Sequence, residues 1–232
     1  ITIIIADVYL EGTRITNNNA FRGGGGIYTS HESGVYFSEE NRCNIYGNNA
    51  AYGLDICAIE EFHQANEIHV VLDTFSVSEP QYYFANHNLD ENPFTFDILY
   101  GYIEPVNHDL YVSPTGDDNN SGLTPDEPLQ RINTALFRIY PDSLDPKTIH
   151  IAGGTYSRSG NDQILPISAK KNVDIIGENM ESTIIDAESN GSILGFSFEH
   201  NDIAVKNITF QNAFGTTAVH VEINDDVLFE NV

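Results

Sequence analysis

A chain of 232 residues that is 41% hydrophobic, with one methionine and no tryptophan, has the composition of a folded protein with a sizeable core. Its 34 acidic residues against 10 Lys plus Arg give a formal charge of −24, which repels phosphate backbones and anionic lipid surfaces and argues against nucleic-acid or charge-driven membrane partners. No apolar run approaches the roughly 20 residues of a membrane-spanning helix, and 24 asparagines with 18 glycines favour turn-rich β architecture over a helical bundle.

The chain starts without methionine in a strand-like run, ITIIIADVYLEG, too short in its apolar part for a signal-peptide core, and stops in another, VLFENV. This pattern is expected of a processed product or an excised piece. ITNNNAFRGGGGIYTS (residues 15–30) follows. No Lys-Ser/Thr comes after its four glycines and no helix pattern supplies an N-terminus, so Gly23, Gly24, Gly25 and Gly26 do not read as a phosphate loop. The stretch aligns instead with IYGNNAAYGLDIC (residues 45–57), and both resemble ITFQNAFGTTAVHV (residues 208–221): an apolar strand, Asn, small residues, an aromatic, Gly, then another strand. Asparagine tolerates left-handed backbone and can stack as a ladder, and glycine permits positive φ, so the stretch is expected to be a corner in a stacked coil. Residues 1–75 are therefore expected to be stacked coils of a β-helix. Cys43 and Cys57 form no zinc pattern and permit either one disulfide or two packed thiols. Tyr28, Tyr36, Tyr46 and Tyr52 are candidates for glycan stacking, set against packing at coil corners.

Residues 76–107 are acidic and aromatic-rich, and are expected to be a connector with extended segments of its own. In LTPDEPLQRINTALFRIYPDS, Leu129, Ile132, Leu136 and Ile139 share one helical face, with Thr124 and Pro125 as start signals and Pro141 as the stop. The spacing predicts a short helix near 128–140, capping an open first coil that begins at Thr148. Just before it, TGDDNNSG (residues 115–122) has oxygen donors at calcium-like density but no EF-hand spacing; Asp117, Asp118 and Asn120 are the candidate ligands for a structural calcium, against a tight Asx-rich turn.

After residue 148 short apolar strands recur: TIHIA, NVDII, DIAVK and DVLFE start 24, 30 and 24 residues apart. A second track (TIID, NITF) follows the first at a short offset, and SIL and AVHV form a third. Three short strands per repeat predict an all-β parallel β-helix in two segments, with residues 108–232 forming a capping helix and coils, and about eight coils in all. Alternation places His150, Asp174, Ala204 and Leu228 outward on the first track and Asp186, then Thr209, on the second, so no two carboxylates stack as a glycosidase pair would. Arg158 is the one arginine after Arg138, and NDD (residues 224–226) lacks a following Gly-His-Gly. The eight histidines form no HxH or HExxH pattern and read as surface or turn residues. The sequons at Asn119, Asn190 and Asn207 read as chance matches.

From Asp109 onward, DLYVSPTGDDNNSGLTPDEPLQRINTAL, then TIHIAGGTY, ILPI and VDIIGEN, resembles the opening of secreted bacterial right-handed β-helix proteins of the pectate-lyase-like superfamily, in a branch of largely undefined function. Arg131 departs from that pattern, where a Thr or Ser usually precedes the helix. The resemblance implies a right-handed β-helix in a secreted or bacterial cell-surface location, with residues 1–75 as closing coils and residues 108–232 as the capping helix and opening coils. Taken together, these features lead us to expect a non-enzymatic structural module without a cofactor, self-associating end to end in a filament or tandem array. The alternatives are a carbohydrate-binding or carbohydrate-degrading domain and an adhesin.

Overall fold

The computed structural model describes residues 1–20, 23–30, 33–50, 53–59, 67–80, 83–87, 94–196, 202–215, 217–221 and 226–232. The chain divides into two compact units, Ile1–Glu104 and Pro105–Val232, each built of right-handed parallel β-helical coils, about seven turns in all.

The first unit stacks four coils. β1 (Thr2–Ile3), β2 (Asp7–Leu10) and β3 (Arg14–Thr16) make the first, and β4 (Ile27–Ser30), β5 (Gly34–Phe37) and β6 (Cys43–Tyr46) the second. The third contains β7 (Ile56–Ile59) and β8 (Ile68–Phe75), and the fourth β9 (Ala85–His87) and β10 (Phe94–Gly101). Every pairing is parallel, in sheets ordered β1-β4-β7-β9, β2-β5 and β3-β6-β8-β10. Ile15 lies opposite Ile45, so the alignment of the two Asn-rich stretches is a structural register. The stretch expected to be a connector is in part a further coil: β10 pairs with β8 from Phe94↔Ile68 to Gly101↔Phe75, and β9 pairs with β7. Its aromatic content disguised the repeat, because Phe94 and Phe96 occupy the layer that Ile68 and Val70 fill one coil below.

In the second unit β11 (Leu110–Val112) leads to α1 (Ile132–Arg138), then β12 (Lys147–Ile151), β13 (Gly154–Tyr156), the single turn α2 (Arg158–Asn161) and β14 (Ile167–Ser168). The next coil is β15 (Val173–Gly177), β16 (Thr183–Asp186) and β17 (Leu194–Gly195). The last strands are β18 (Asp202–Lys206), β19 (Thr209–Gln211), β20 (Val219–His220) and β21 (Asp226–Glu230). Three parallel sheets result, β11-β12-β15-β18-β21, β13-β16-β19 and β14-β17-β20. The first strand of the stack is thus β11 rather than the segment at Thr148. Alternation is strict on β12 and β15, where Ile149, Ile151, Val173 and Ile175 point inward and are at most 2% exposed. Burying each such aliphatic contributes roughly 1.5–3 kcal/mol, and the parallel register stacks them in columns such as Ile149–Ile175–Val205.

The helix begins later than its apolar spacing suggests. Leu129 is fully buried, but as a strand-like residue: its N–H donates to the Tyr111 carbonyl at 2.8 Å and its carbonyl accepts from Ser113 at 2.9 Å. The Asp118 carboxylate then accepts the N–H groups of Gln130 (3.0 Å) and Arg131 (3.1 Å), fixing Arg131 in extended backbone as an N-cap that makes no capping bond of its own. A remote residue supplies that bond: the Ile132 N–H donates to Gln163 Oε1 at 3.1 Å. At the other end the Lys170 ammonium donates to the carbonyls of Leu136 (3.2 Å) and Ile139 (2.8 Å). Ile132, Ala135, Leu136 and Ile139 are fully buried, and α1 packs on β11, β12 and β14, the lid position expected of it.

Candidate functional site

The tyrosine candidates are not gathered into one surface. Tyr28 lies on β4, Tyr36 on β5 and Tyr46 on β6, one on each of three sheets, and Tyr52 lies outside the described residues. Tyr36 stacks on Tyr9 with ring centroids 4.8 Å apart, and Tyr46 on Tyr102 at 4.5 Å. The first pair joins neighbouring coils in register, and the second reaches across the intervening β8 coil. Cys43 and Cys57 are free and buried on two different sheets, and burial pushes the Cys57 thiol up to about 11.

The Asp-rich turn is held together by its own bonds. Asp117 Oδ1 accepts from the backbone and the side-chain amide of Asn119, both at 2.8 Å; these bonds, the backbone one first, hold its carboxyl below the usual range. Asp118 bonds Arg131 Nε besides the two N–H groups before the helix, and Asn120 Nδ2 donates to the Pro128 carbonyl at 2.9 Å. Arg138 closes the turn by donating to the Asp118 and Asn120 carbonyls at 2.6 and 2.7 Å. Among the described residues no group of three or more His, Cys, Asp or Glu is placed to share a metal ion. The NDD stretch falls largely outside the described residues.

The outward columns need one correction. His150 lies opposite Ile176, two positions from Asp174, whose partner below is Thr148. The Asp174 carboxylate is directed onto the next coil, accepting the Ala204 N–H at 2.7 Å. This use recurs through the second unit. Asp109 accepts the Thr148 N–H at 2.8 Å, and Glu178 the Gly153 N–H at 2.9 Å. Glu188 takes the Ser159 N–H at 3.1 Å and its hydroxyl, and Asp186 accepts from Gln211 at 2.8 Å and Asn212 at 3.0 Å. Each of these carboxylates therefore ties one coil to the next. Hydrogen bonds hold both Asp186 (chiefly the Glu188 N–H) and Glu188 (chiefly the Ser159 hydroxyl) below the usual carboxylate range.

Where β11 meets β12 an open cleft of about 640 Å³ is lined by His108, Asp109, Tyr111, Leu123, Lys147 and Thr148, among others. Just before β11, Asp109 Oδ2 lies 3.3 Å from His150 Nε2 of β12, and the His150 ring stacks on Tyr111 at 4.9 Å. No HxH pattern marks His150; the signal was its position two residues beyond Thr148, in register with Tyr111.

In the first unit the polar centre is internal. Asn48 Oδ1 accepts from the backbone (3.0 Å) and side chain (2.9 Å) of Asn18 one coil below, and its Nδ2 donates to the Ile15 carbonyl at 3.0 Å. The same amide donates to Asp55 Oδ1 at 2.7 Å. Asp55 is wholly buried, its Oδ2 has no hydrogen-bond partner, and burial pushes its pKa up to about 6 against the neighbouring Ser76 hydroxyl and Asn48 amide. The expected asparagine ladder is thus present, joined by a buried acid that the corner alignment, which pairs it with Gly26, did not single out. No family model, curated protein or solved structure matches this protein.

Proposed function

We propose that this protein is a non-enzymatic structural β-helix module of the pectate-lyase-like kind, working outside a bacterial cell as part of a head-to-tail filament or tandem surface array. The observation that carries this reading is the commitment of the surface carboxylates: Asp109, Asp174, Glu178, Asp186 and Glu188 all accept hydrogen bonds from a neighbouring coil. Acid side chains used this way lock successive coils in register and strengthen the nearest-neighbour contacts on which a stacked solenoid depends. Electron microscopy and small-angle scattering of the purified protein test the reading: elongated species growing with concentration are expected, and a strictly monomeric state at all concentrations sinks it.

One observation favours a carbohydrate-directed reading, namely the cleft lined by Asp109 and Tyr111, two residues that also hold His150, Asp109 by pairing with it and Tyr111 by ring stacking. Binding on a glycan array, or release of unsaturated uronic acids with added calcium, that is lost in His150→Ala would favour it over the structural one.

A further inference from the structure

Between β16 and β17 the backbone turns through residues 187–193, AESNGSI, which contain the single Asn-Gly pair of the sequence. Glu188 and Ser189 both have positive φ, 50° and 60°, and Gly191 has φ 93°. The turn is pinned on both sides to the next coil: the Ser189 N–H donates to the Asn212 carbonyl at 2.8 Å, and the Gly191 carbonyl accepts from Phe214 at 2.9 Å. Between these anchors Asn190 is exposed, and its side-chain amide makes one local bond, from Nδ2 to the Glu188 carbonyl at 3.0 Å. Space around Gly191 is open, since a Cβ built there would meet nothing within 4 Å.

We propose that Asn190 is a site of self-catalysed modification, converting to aspartyl and isoaspartyl forms through a succinimide. The Gly191 backbone nitrogen gives its proton to a solvent base and attacks Asn190 Cγ. A new bond from that nitrogen to Cγ closes the five-membered ring, and the bond between Cγ and Nδ2 breaks as ammonia leaves. Water then opens the ring at either carbonyl, giving an aspartyl or an isoaspartyl link with no oxidant or reductant involved. Glycine is the residue that suits this attack, having no Cβ to crowd the nitrogen or restrict its φ. Competing asparagines are held elsewhere. Asn48 is buried in the corner network, Asn120 donates to Pro128, and Asn207 sits in a ladder where it accepts from Asn231 at 3.0 Å.

The product changes the coil contact. A new carboxylate joins Asp186 and Glu188 in one turn, and the isoaspartyl link adds one backbone carbon between the two anchors that keep this turn in register with residues 212–214. Conversion is therefore expected to loosen the pairing of Leu194 with Val219.

Peptide mapping by mass spectrometry after incubating the intact protein in mildly alkaline buffer tests this. The expected result is that the peptide holding Asn190 becomes the dominant deamidated peptide, split into two chromatographic isomers of equal mass, with ammonia released in step. Asn190→Gln should lose the conversion, as should Gly191→Ala. The proposal is overturned if Asn190 stays intact while other asparagines convert, or if Gly191→Ala converts at the parent rate. Circular dichroism of both variants shows whether the fold is kept; because Asn190→Gln changes no backbone requirement, it decides the matter should Gly191→Ala misfold.

Discussion

In the first unit the acid at the coil corner, Asp55, lies wholly inside, with one oxygen lacking any partner; in the second, Asp186 and Glu188 lie at the surface, each accepting several hydrogen bonds. The chemistry is the same and the consequence opposite. Burial without enough donors raises the pKa of Asp55, while donors without burial lower those of Asp186 and Glu188. A parallel coil can thus absorb a carboxylate on either side of its wall, but only the outer side lets it act as a clamp at neutral pH. Glycines also differ in the room around them, although squeezed ones occur in both units, Gly177 and Gly116 of the second among them. Gly25 is squeezed between coils, where a Cβ would come within 2.5 Å of the Leu54 carbonyl and 2.6 Å of that of Asn49, whereas Gly195 faces open space.

The largest effect should come from filling the squeezed corner. Gly25→Ala forces two backbone carbonyls apart and is expected to cost about 4 kcal/mol or more, unfolding the first unit before the second. Gly195→Ala should change stability by no more than about 0.5 kcal/mol, in the stabilising direction. Chemical denaturation of both variants, followed by hydrogen exchange resolved to each unit, checks the contrast; equal effects would mean that the corner yields easily.

Asp55 gives the next largest. Its folded pKa of about 6 stands above the unfolded value near 3.8, so its contribution is fully present below pH 3.8 and is lost as pH rises through 6. By linkage the loss is about 3 kcal/mol across that window. Asp55→Asn should flatten this part of the stability–pH curve in the first unit, leaving the second unchanged. An unaltered slope in the variant would show that another group titrates.

How much of this contrast was legible in the sequence depends on which kind of contact is involved. Columns of aliphatics at a fixed period announced β12, β15, β18 and β21, because inward alternation leaves a period-two trace in each strand. The fourth coil of the first unit was hidden, since Phe94 and Phe96 replace aliphatics in the same layer. The helix start was misplaced for a different reason: Leu129 satisfies the helical spacing but bonds across to Tyr111 and Ser113, a long-range pairing that local periodicity does not record. The acid clamps were invisible for a related reason. Whether Asp174 meets Asp109 or the Ala204 N–H depends on register, and a slip of two positions was enough to place His150 in the wrong column.

Capping of α1 offers a finer test, because the buried polar groups at its start are satisfied, unlike Asp55 Oδ2 in the first unit or the Ser182 and Thr183 hydroxyls elsewhere in the second. Gln163 accepts from Ile132 at 3.1 Å, and its amide reaches Asn133 and the Ile164 carbonyl, so none of its polar atoms resembles Asp55 Oδ2. Gln163→Leu leaves the Ile132 N–H buried without a partner and is expected to cost about 2 kcal/mol. Protease sensitivity confined to residues near α1 would report it, and an unchanged digestion pattern would mean that Arg131 and its neighbours recap the helix.

The smallest expected effect is also the most discriminating, because it tests the clamp directly. Asp186→Asn keeps an acceptor for Gln211 and Asn212 but removes the charge, and the site is exposed enough for water to screen the loss, so the cost at neutral pH should stay under about 1 kcal/mol. Its pH behaviour must run against that of Asp55. A carboxyl held below the ordinary value of 3.8 contributes stability above that value and loses it as pH falls through the depressed one, so acid weakens the second unit where it relieves the first. Hydrogen exchange of the two units at pH 7 and below pH 4 should therefore move in opposite directions in the parent protein, and Asp186→Asn should reduce the acid loss in the second unit alone. If both units weaken together in acid, general charge repulsion rather than the placement of these carboxylates governs their response.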